Sequence, residues 1–121
     1  MKNVLVVDDS LLMRGIIKKY LSQNGFNVIG EAENGRIGVE KYNELKPDIV
    51  TLDITLDEMD GIEALKNIKK INPNAKVVMV SSMVNQRSIA QEIILAGANA
   101  CIAKPFDESK FLEVMLRVAT R

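Results

Sequence analysis

The sequence of 121 residues contains no histidine and no tryptophan, and it has only one cysteine. Without histidine the chain cannot form a histidine-based catalytic triad, a histidine-rich zinc site or a phosphohistidine of its own. The lone Cys101 cannot form a disulfide within the chain, which is typical of a reducing setting. We therefore expect a cytoplasmic protein, and if it carries out phosphate chemistry, any histidine involved must come from a partner.

The chain also lacks an excess of charge and a long apolar run. It has 16 lysine and arginine residues and 16 aspartate and glutamate residues, so its formal net charge is zero. Nonspecific binding to nucleic acids or membranes normally requires an electropositive surface. No apolar run approaches the roughly 18 residues of a membrane-spanning helix, and the N-terminus lacks a signal-peptide pattern. We expect neither a nucleic acid nor a membrane as partner.

Two kinds of apolar pattern alternate along the chain. Short apolar runs, typical of strands covered on both faces, occur at residues 4–7, 28–29, 49–52, 77–80 and 100–103. Each is followed by a segment whose apolar residues recur at helical spacing, such as residues 35–45. With 47% hydrophobic residues the chain can bury its own core. The alternation predicts one α/β domain over residues 1–121, with a parallel sheet and helices on both faces.

Polar residues follow four of the five predicted strands. In open parallel sheets ligands bind at the carboxyl ends of the strands, and both the dinucleotide-binding order and the flavodoxin-like order 2-1-3-4-5 are compatible with the pattern. In the order 2-1-3-4-5 the first and third strands are neighbours, so three carboxylates would converge there. The residues at these strand ends are Asp8-Asp9, Asp53, Ser81-Ser82 and Lys104-Pro105.

Three crowded carboxylates predict a site for a divalent cation. They repel one another and resist ionisation, and Mg²⁺, which takes an all-oxygen shell, relieves the conflict. Asp53 stands alone after the central strand, so we predict that it is the nucleophile that forms an aspartyl phosphate. Asp9, Asp8 partly through water, Asp53 and the backbone carbonyl of Thr55 are the predicted Mg²⁺ ligands.

The remaining two strand ends supply groups that could neutralise phosphoryl charge. The Lys104 ammonium and the Ser81 hydroxyl are predicted to do so, with Ser82 as the alternative hydroxyl. Plain structural roles are also compatible with several of these residues. Asp8-Asp9 could simply cap the first helix, and Ser81 could cap the fourth. Cys101 is predicted to be a small buried apolar residue.

Motifs spread over the whole chain carry a family resemblance. They are Val6-Val7-Asp8-Asp9-Ser10, Asp53 with Met59-Asp60-Gly61, Val80-Ser81, Ala96-Gly97-Ala98 and Lys104-Pro105-Phe106. The set resembles the response-regulator receiver domain of two-component systems. The run Asp9-Ser10-Leu11-Leu12-Met13-Arg14 is similar to that of stand-alone chemotaxis regulators of the CheY type. The flavodoxin-like order 2-1-3-4-5 is typical of this family and is taken from the resemblance.

The resemblance implies a mechanism and partners. A histidine kinase would be the phosphodonor, Mg²⁺ would be required, and the phosphoryl group would be hydrolysed with Thr55 and Met83 near the attacking water. The bond between Lys104 and Pro105 would be cis. The chain would be a monomeric signalling module in chemotaxis, acting on a protein such as the flagellar motor switch and catalysing only its own phosphorylation and dephosphorylation.

The output partner is expected on the face formed by the fourth helix, fifth strand and fifth helix, with Ile94, Cys101 and Lys110 at its edge. Three features depart from the family pattern. Asp57 stands where a proline is usual, and Cys101 stands where an aromatic switch residue is expected. The segment from Ser81 to Gly97 is one residue longer than expected, unless Ser82 supplies the hydroxyl. Origin as a receiver excised from a longer regulator is an alternative that the sequence leaves open.

Enzymes built on the same fold form a second class of hypothesis. A flavodoxin-like electron carrier would place a flavin phosphate beside Asp8-Asp9, which would repel it, and no tryptophan is available to stack on the ring. A Mg²⁺-dependent phosphatase with an aspartyl nucleophile usually has a second aspartate two residues later, where this chain has Thr55. Neither the dinucleotide glycine fingerprint nor a P-loop occurs.

Overall fold

Five strands alternate with five helices in a computed structural model that describes residues 2–55, 58–83 and 86–120. The strands are β1 (Lys2–Val7), β2 (Phe26–Ala32), β3 (Ile49–Leu52), β4 (Lys76–Ser81) and β5 (Ala100–Ala103). The helices are α1 (Leu11–Gln23), α2 (Gly35–Leu45), α3 (Gly61–Ile71), α4 (Arg87–Leu95) and α5 (Glu108–Ala119). The predicted alternation is confirmed, although β2 extends well beyond the predicted residues 28–29. In the described part of the chain no helix combines the length and apolar character needed to cross a bilayer.

All strands of the sheet are parallel, and their order is β2-β1-β3-β4-β5. The flavodoxin-like order is therefore confirmed, and the dinucleotide-binding order is excluded. Val7, the last residue of β1, pairs with Leu52, the last residue of β3. Because these two strands end level with each other, the residues that follow them emerge side by side at one edge of the sheet.

The continuous apolar runs reflect a sheet that is covered on both faces. Side chains alternate between the two faces of a strand. In β1, Leu5 and Val7 belong to the core beneath α2, α3 and α4, whereas Val4 and Val6 belong to the core beneath α1 and α5. Every position of such a strand faces a hydrophobic layer, so an alternating polar pattern cannot develop.

Four of the helices begin at a polar residue whose side chain caps the helix. The capping side chains accept hydrogen bonds from backbone N–H groups in the first turn, which otherwise have no partner within the helix. The cap of α1 is Ser10, which accepts from the Met13 N–H at 3.1 Å, so the interpretation in which Asp8-Asp9 caps this helix is wrong. The caps of α2, α3 and α5 are Asn34, Asp60 and Asp107.

Gly15 and Gly61 provide a test of this packing. A Cβ atom added to Gly61 would lie 1.9 Å from the Asp53 carbonyl oxygen, whereas one added to Gly15 would meet nothing within 4 Å. We expect Gly61→Ala to lower the free energy of unfolding by about 2 kcal/mol through overpacking. Gly15→Ala should raise it by about 0.5–1 kcal/mol because alanine favours the helix. Urea denaturation measures both values, and equal effects would contradict this account.

Candidate functional site

Asp8, Asp9 and Asp53 converge at the carboxyl ends of β1 and β3. One carboxylate oxygen from each lies within 4.8 Å of the other two. Asp8 and Asp53 are buried, with exposed fractions of 1% and 5%, whereas Asp9 is exposed. The structure therefore brings together the three carboxylates that the sequence pattern places at neighbouring strand ends.

The sheet and the loops that follow it fix the two buried carboxylates. The Asp8 N–H donates to the carbonyl of Ala32 on β2 at 3.0 Å, and the Asp53 N–H donates to the carbonyl of Val7 at 3.0 Å. The Asp8 side chain accepts from the Ser10 N–H at 2.9 Å, and that of Asp53 accepts from the Thr55 N–H at 3.3 Å. Backbone hydrogen bonds thus continue the strand pairing one residue past each strand and hold both side chains at the edge of the sheet.

Lys104 bridges the two buried carboxylates. Its Nζ donates to Asp8 Oδ2 at 2.8 Å and to Asp53 Oδ2 at 3.2 Å. Burial alone would lower the pKa of Lys104, but the hydrogen bond to Asp8 and the charges of Asp53 and Asp8 outweigh it and raise the pKa. Lys104 is therefore a cation at neutral pH. Its peptide bond to Pro105 is cis, as the family resemblance implies.

The Lys104 ammonium does not compensate the whole negative charge of the cluster. Partial desolvation, followed by repulsion from Asp53 and Asp8, raises the pKa of Asp9. Both ion pairs that Lys104 makes within the described residues are with Asp8 and Asp53. Three carboxylates thus share one ammonium, and a site of this kind favours the binding of an additional cation.

The donor set fits Mg²⁺. Carboxylate oxygens from two adjacent strands are hard ligands, and Mg²⁺ is typically held by one or two carboxylates together with water and phosphate oxygens. Softer metals would require thiolate or imidazole ligands, and the chain has no histidine. Asp8, Asp9 and Asp53 can therefore hold the ion. The backbone carbonyl of Thr55 as a further ligand stays a prediction.

Ser81, which carries the predicted hydroxyl, ends β4, and the predicted water-side residues Met83 and Thr55 follow β4 and β3 at the same edge of the sheet. Ser81 is the last residue of β4 and is buried, and its Oγ accepts from the Met83 N–H at 3.2 Å, whereas Ser82 is exposed. The Ser81 carbonyl accepts from the Lys104 N–H at 3.2 Å, which ties these two strand ends together. Thr55 is exposed, and its hydroxyl donates to the Met83 sulfur at 3.2 Å.

The structure corrects the prediction for Cys101, and the prediction for Asp57 is not tested. Cys101 is exposed, so its predicted burial is wrong. It lies on β5, the edge strand of the sheet. Ile93 is the one buried residue of the neighbouring helix α4, and β5 is only partly buried. Partial burial nonetheless raises the pKa of the thiol. Asp57, which replaces the usual proline, lies outside the described residues.

Two contacts near the site had no counterpart in the sequence reasoning. Arg14 donates from Nη1 to the Asp8 carbonyl at 2.7 Å. In the loop between Asp53 and α3, Glu58 and Met59 have φ angles of 47° and 90°, and the Glu58 carbonyl accepts from the Arg36 N–H at 3.0 Å. A glutamate and a methionine give no signal for left-handed backbone, which favours glycine. The only feature of the sequence that drew attention to Arg14 was its place at the end of the run from Asp9 to Arg14.

Comparisons with known proteins agree with this geometry. Residues 4–116 match the family described as "Response regulator receiver domain". The chain is 51% identical over 118 residues to the chemotaxis protein CheY of Thermotoga maritima, with 98% of each chain covered. It is 51% identical over 112 residues to CheY of Bacillus subtilis, with 93% and 92% covered. A chain of the CheX–CheY–BeF₃–Mg²⁺ complex from Borrelia burgdorferi superposes with a TM-score of 0.93 and 38% identity, over 97% of this chain and 88% of that chain.

The bridging role of Lys104 predicts a large effect on stability. Lys104→Met leaves two buried carboxylates without their cation, and we expect the free energy of unfolding to fall by about 3 kcal/mol. Lys66→Met is the matched control, because Lys66 forms a looser pair with Glu92 at 3.9 Å on the surface. That variant should change the value by less than about 0.5 kcal/mol. Urea denaturation at pH 7 without divalent cations compares them, and similar losses in both variants would refute the bridge.

Proposed function

The chain belongs to the response regulator receiver family, and from that premise we propose that residues 1–121 form one phosphorylation-controlled signalling domain whose acceptor is Asp53. The observation that carries the proposal is the position of the Asp53 carboxylate. It lies beside Asp8 and Asp9 and within hydrogen-bonding distance of Lys104. The Lys104 ammonium beside this carboxylate can offset part of the negative charge of a phosphoryl group bound there.

The proposed reaction transfers a phosphoryl group from the phosphohistidine of a histidine kinase. An oxygen of Asp53 forms a bond to phosphorus, and the bond between phosphorus and the donor nitrogen breaks, so the electron pair leaves with the imidazole. Asp8, Asp9 and Asp53 would hold Mg²⁺, which would supply positive charge next to the phosphoryl oxygens. The presence of Mg²⁺ in the CheX–CheY–BeF₃–Mg²⁺ complex of Borrelia burgdorferi supports the proposal that this chain binds the same ion.

Side chains from β4 and from the residue that follows β5 complete the proposed chemistry. Lys104 Nζ, already 3.2 Å from Asp53 Oδ2, would pair with one phosphoryl oxygen, and the Ser81 hydroxyl would donate to another. Water then attacks phosphorus and releases phosphate, which restores the carboxylate. Thr55 and Met83 are proposed to limit the approach of this water and so to influence the phosphoryl lifetime, and the hydrogen bond between them supports a joint role.

The proposed output is a chemotaxis signal passed to a protein such as the flagellar motor switch, in the cytoplasm and by a monomer. CheY proteins at 51% identity support the pathway. The proposed docking face is formed by α4, β5 and α5, where Ile94, Cys101 and Lys110 are exposed. On α4, Ile94 is 69% exposed and Leu95 is 88% exposed. Large apolar side chains so exposed to water favour a protein partner at this face.

Phosphorylation by a small donor tests the acceptor. Incubation with acetyl phosphate and Mg²⁺ should add the mass of one phosphoryl group to the wild-type chain, as measured by intact mass spectrometry. Asp53→Asn should abolish the gain because the amide is not a nucleophile of this kind, and removal of Mg²⁺ should reduce it strongly. Asp48→Asn, which changes an exposed aspartate just before the amino end of β3, is the matched control and should be phosphorylated like wild type.

A phosphoryl gain in Asp53→Asn at the wild-type rate would show that another residue is the acceptor. Equal gains with and without Mg²⁺ would contradict the proposed role of the carboxylate cluster while leaving the acceptor in place.

The single cysteine offers a probe of the proposed output face without any engineering. The raised pKa of Cys101 lowers its thiolate fraction, so alkylation at pH 7 should be slower than that of free cysteine despite the exposure of the residue. If phosphorylation repacks the face, acetyl phosphate with Mg²⁺ should change the alkylation rate at least about twofold. Asp53→Asn is the control, and an unchanged rate in phosphorylated wild type would exclude a rearrangement at β5.

A further inference from the structure

Arg14 makes two hydrogen bonds that lead in different directions. From α1 its Nε donates to Glu31 Oε1 at 2.8 Å, and its Nη1 donates to the backbone carbonyl of Asp8 at 2.7 Å. The side chain is only 12% exposed. We propose that Arg14 is a positioning residue for the Mg²⁺ site, which it serves by fixing the peptide group between Asp8 and Asp9. This inference rests on the function proposed above.

The Asp8 carbonyl is part of the peptide group that joins Asp8 to Asp9, so its orientation affects that of Asp9. A peptide group is planar and rigid, so a bond that holds its oxygen also fixes the direction of the next N–H and Cα. The Asp8 N–H is already bound to Ala32, and its side chain accepts from Ser10. Arg14 binds the one remaining backbone group of Asp8, and it thereby determines how the Asp9 side chain leaves the main chain.

Asp9 is the ligand that most needs such support. The sheet and Lys104 hold Asp8 and Asp53, both of which are buried, whereas Asp9 is exposed beyond the end of β1. Repulsion by its two neighbours favours rotation of this carboxylate toward solvent. A fixed peptide group restricts that movement and keeps the third carboxylate within reach of the ion before the ion binds.

A surface ion pair with Glu31 does not account for the arrangement of Arg14. A bidentate pair, with both carboxylate oxygens bound by one guanidinium, is the strong geometry for arginine and glutamate. Here Lys18 binds Glu31 Oε2, and Arg14 uses Oε1 alone. Hydrogen bonds from Lys18 and then Arg14 lower the pKa of Glu31, so it stays ionised at neutral pH. Glu31 thus anchors one side of the guanidinium while the other side reaches Asp8.

Charge and positioning predict opposite effects when Arg14 is replaced. Arg14 is a cation near a cation site, so removal of its charge alone would strengthen Mg²⁺ binding. Loss of the bond to Asp8 would weaken it. Lys18→Met is the matched control, because Lys18 pairs with the same Glu31 and carries the same charge, and its described hydrogen bond is to Glu31 and not to Asp8.

The experiment is a calorimetric titration of Mg²⁺ into wild type, Arg14→Met and Lys18→Met without phosphodonor. Removal of groups that orient metal ligands typically costs 10–100-fold in affinity. We expect Arg14→Met to raise the Kd for Mg²⁺ about tenfold, and Lys18→Met to leave it unchanged within about twofold or to lower it. Methionine keeps most of the apolar stem of either side chain, and thermal melts check that each variant is folded.

A second variant keeps the inference testable if Arg14→Met fails to fold. Arg14→Lys retains the charge but offers a single ammonium that cannot match the two-sided fork of the guanidinium, so its affinity should also fall. Binding by Arg14→Met or Arg14→Lys as tight as that of wild type would overturn the inference, and so would equal weakening by Lys18→Met. In either case wild-type binding and phosphorylation would leave the proposed function intact. A wild-type chain that binds no Mg²⁺ would overturn both.

Discussion

The closeness of three carboxylates at the ends of β1 and β3 is the constraint on which the rest of the site depends. Like charges a few ångströms apart raise the free energy of the folded chain unless cations compensate them. The pairing of Val7 with Leu52 enforces this closeness, because the parallel register brings Asp8 and Asp53 out at the same level. Lys104 compensates part of the charge, and the remainder is available to stabilise a bound cation. The fold thus holds the carboxylates in an arrangement that is electrostatically unfavourable without cations, and binding a cation there lowers its free energy.

The sequence was sufficient to predict the alternation of strands and helices because the three central strands, β1, β3 and β4, are almost entirely buried. Continuous apolar runs, rather than alternating ones, indicated a parallel sheet between two helical layers, and the structure has both layers. The convergence of Asp8, Asp9, Asp53 and Lys104 also followed from their places after the strands, once the strand order was known. That order came from the family resemblance, since periodicity alone left two orders open.

Three features could not be predicted because no residue type or spacing in the sequence indicates them. Cys101 is exposed because α4 covers little of the edge strand. The apolar residues on either side of Cys101 in the sequence do not indicate this. The bond from Arg14 to the Asp8 carbonyl involves a main-chain acceptor, which every residue possesses and no motif marks. The left-handed backbone at Glu58 occurs without the glycine or asparagine that would have predicted it.

The same sparse cover bears on how a change at the site could reach a partner. Among the described residues α4 buries one side chain, Ile93, whereas α3 buries five residues and α5 four. Gln86, the N-cap residue that precedes α4, makes no side-chain capping bond. A displacement of α4 would therefore disrupt less buried surface than one of α3 or α5. The least anchored of these three helices also follows the strand that ends in Ser81, whose carbonyl accepts a hydrogen bond from the Lys104 N–H.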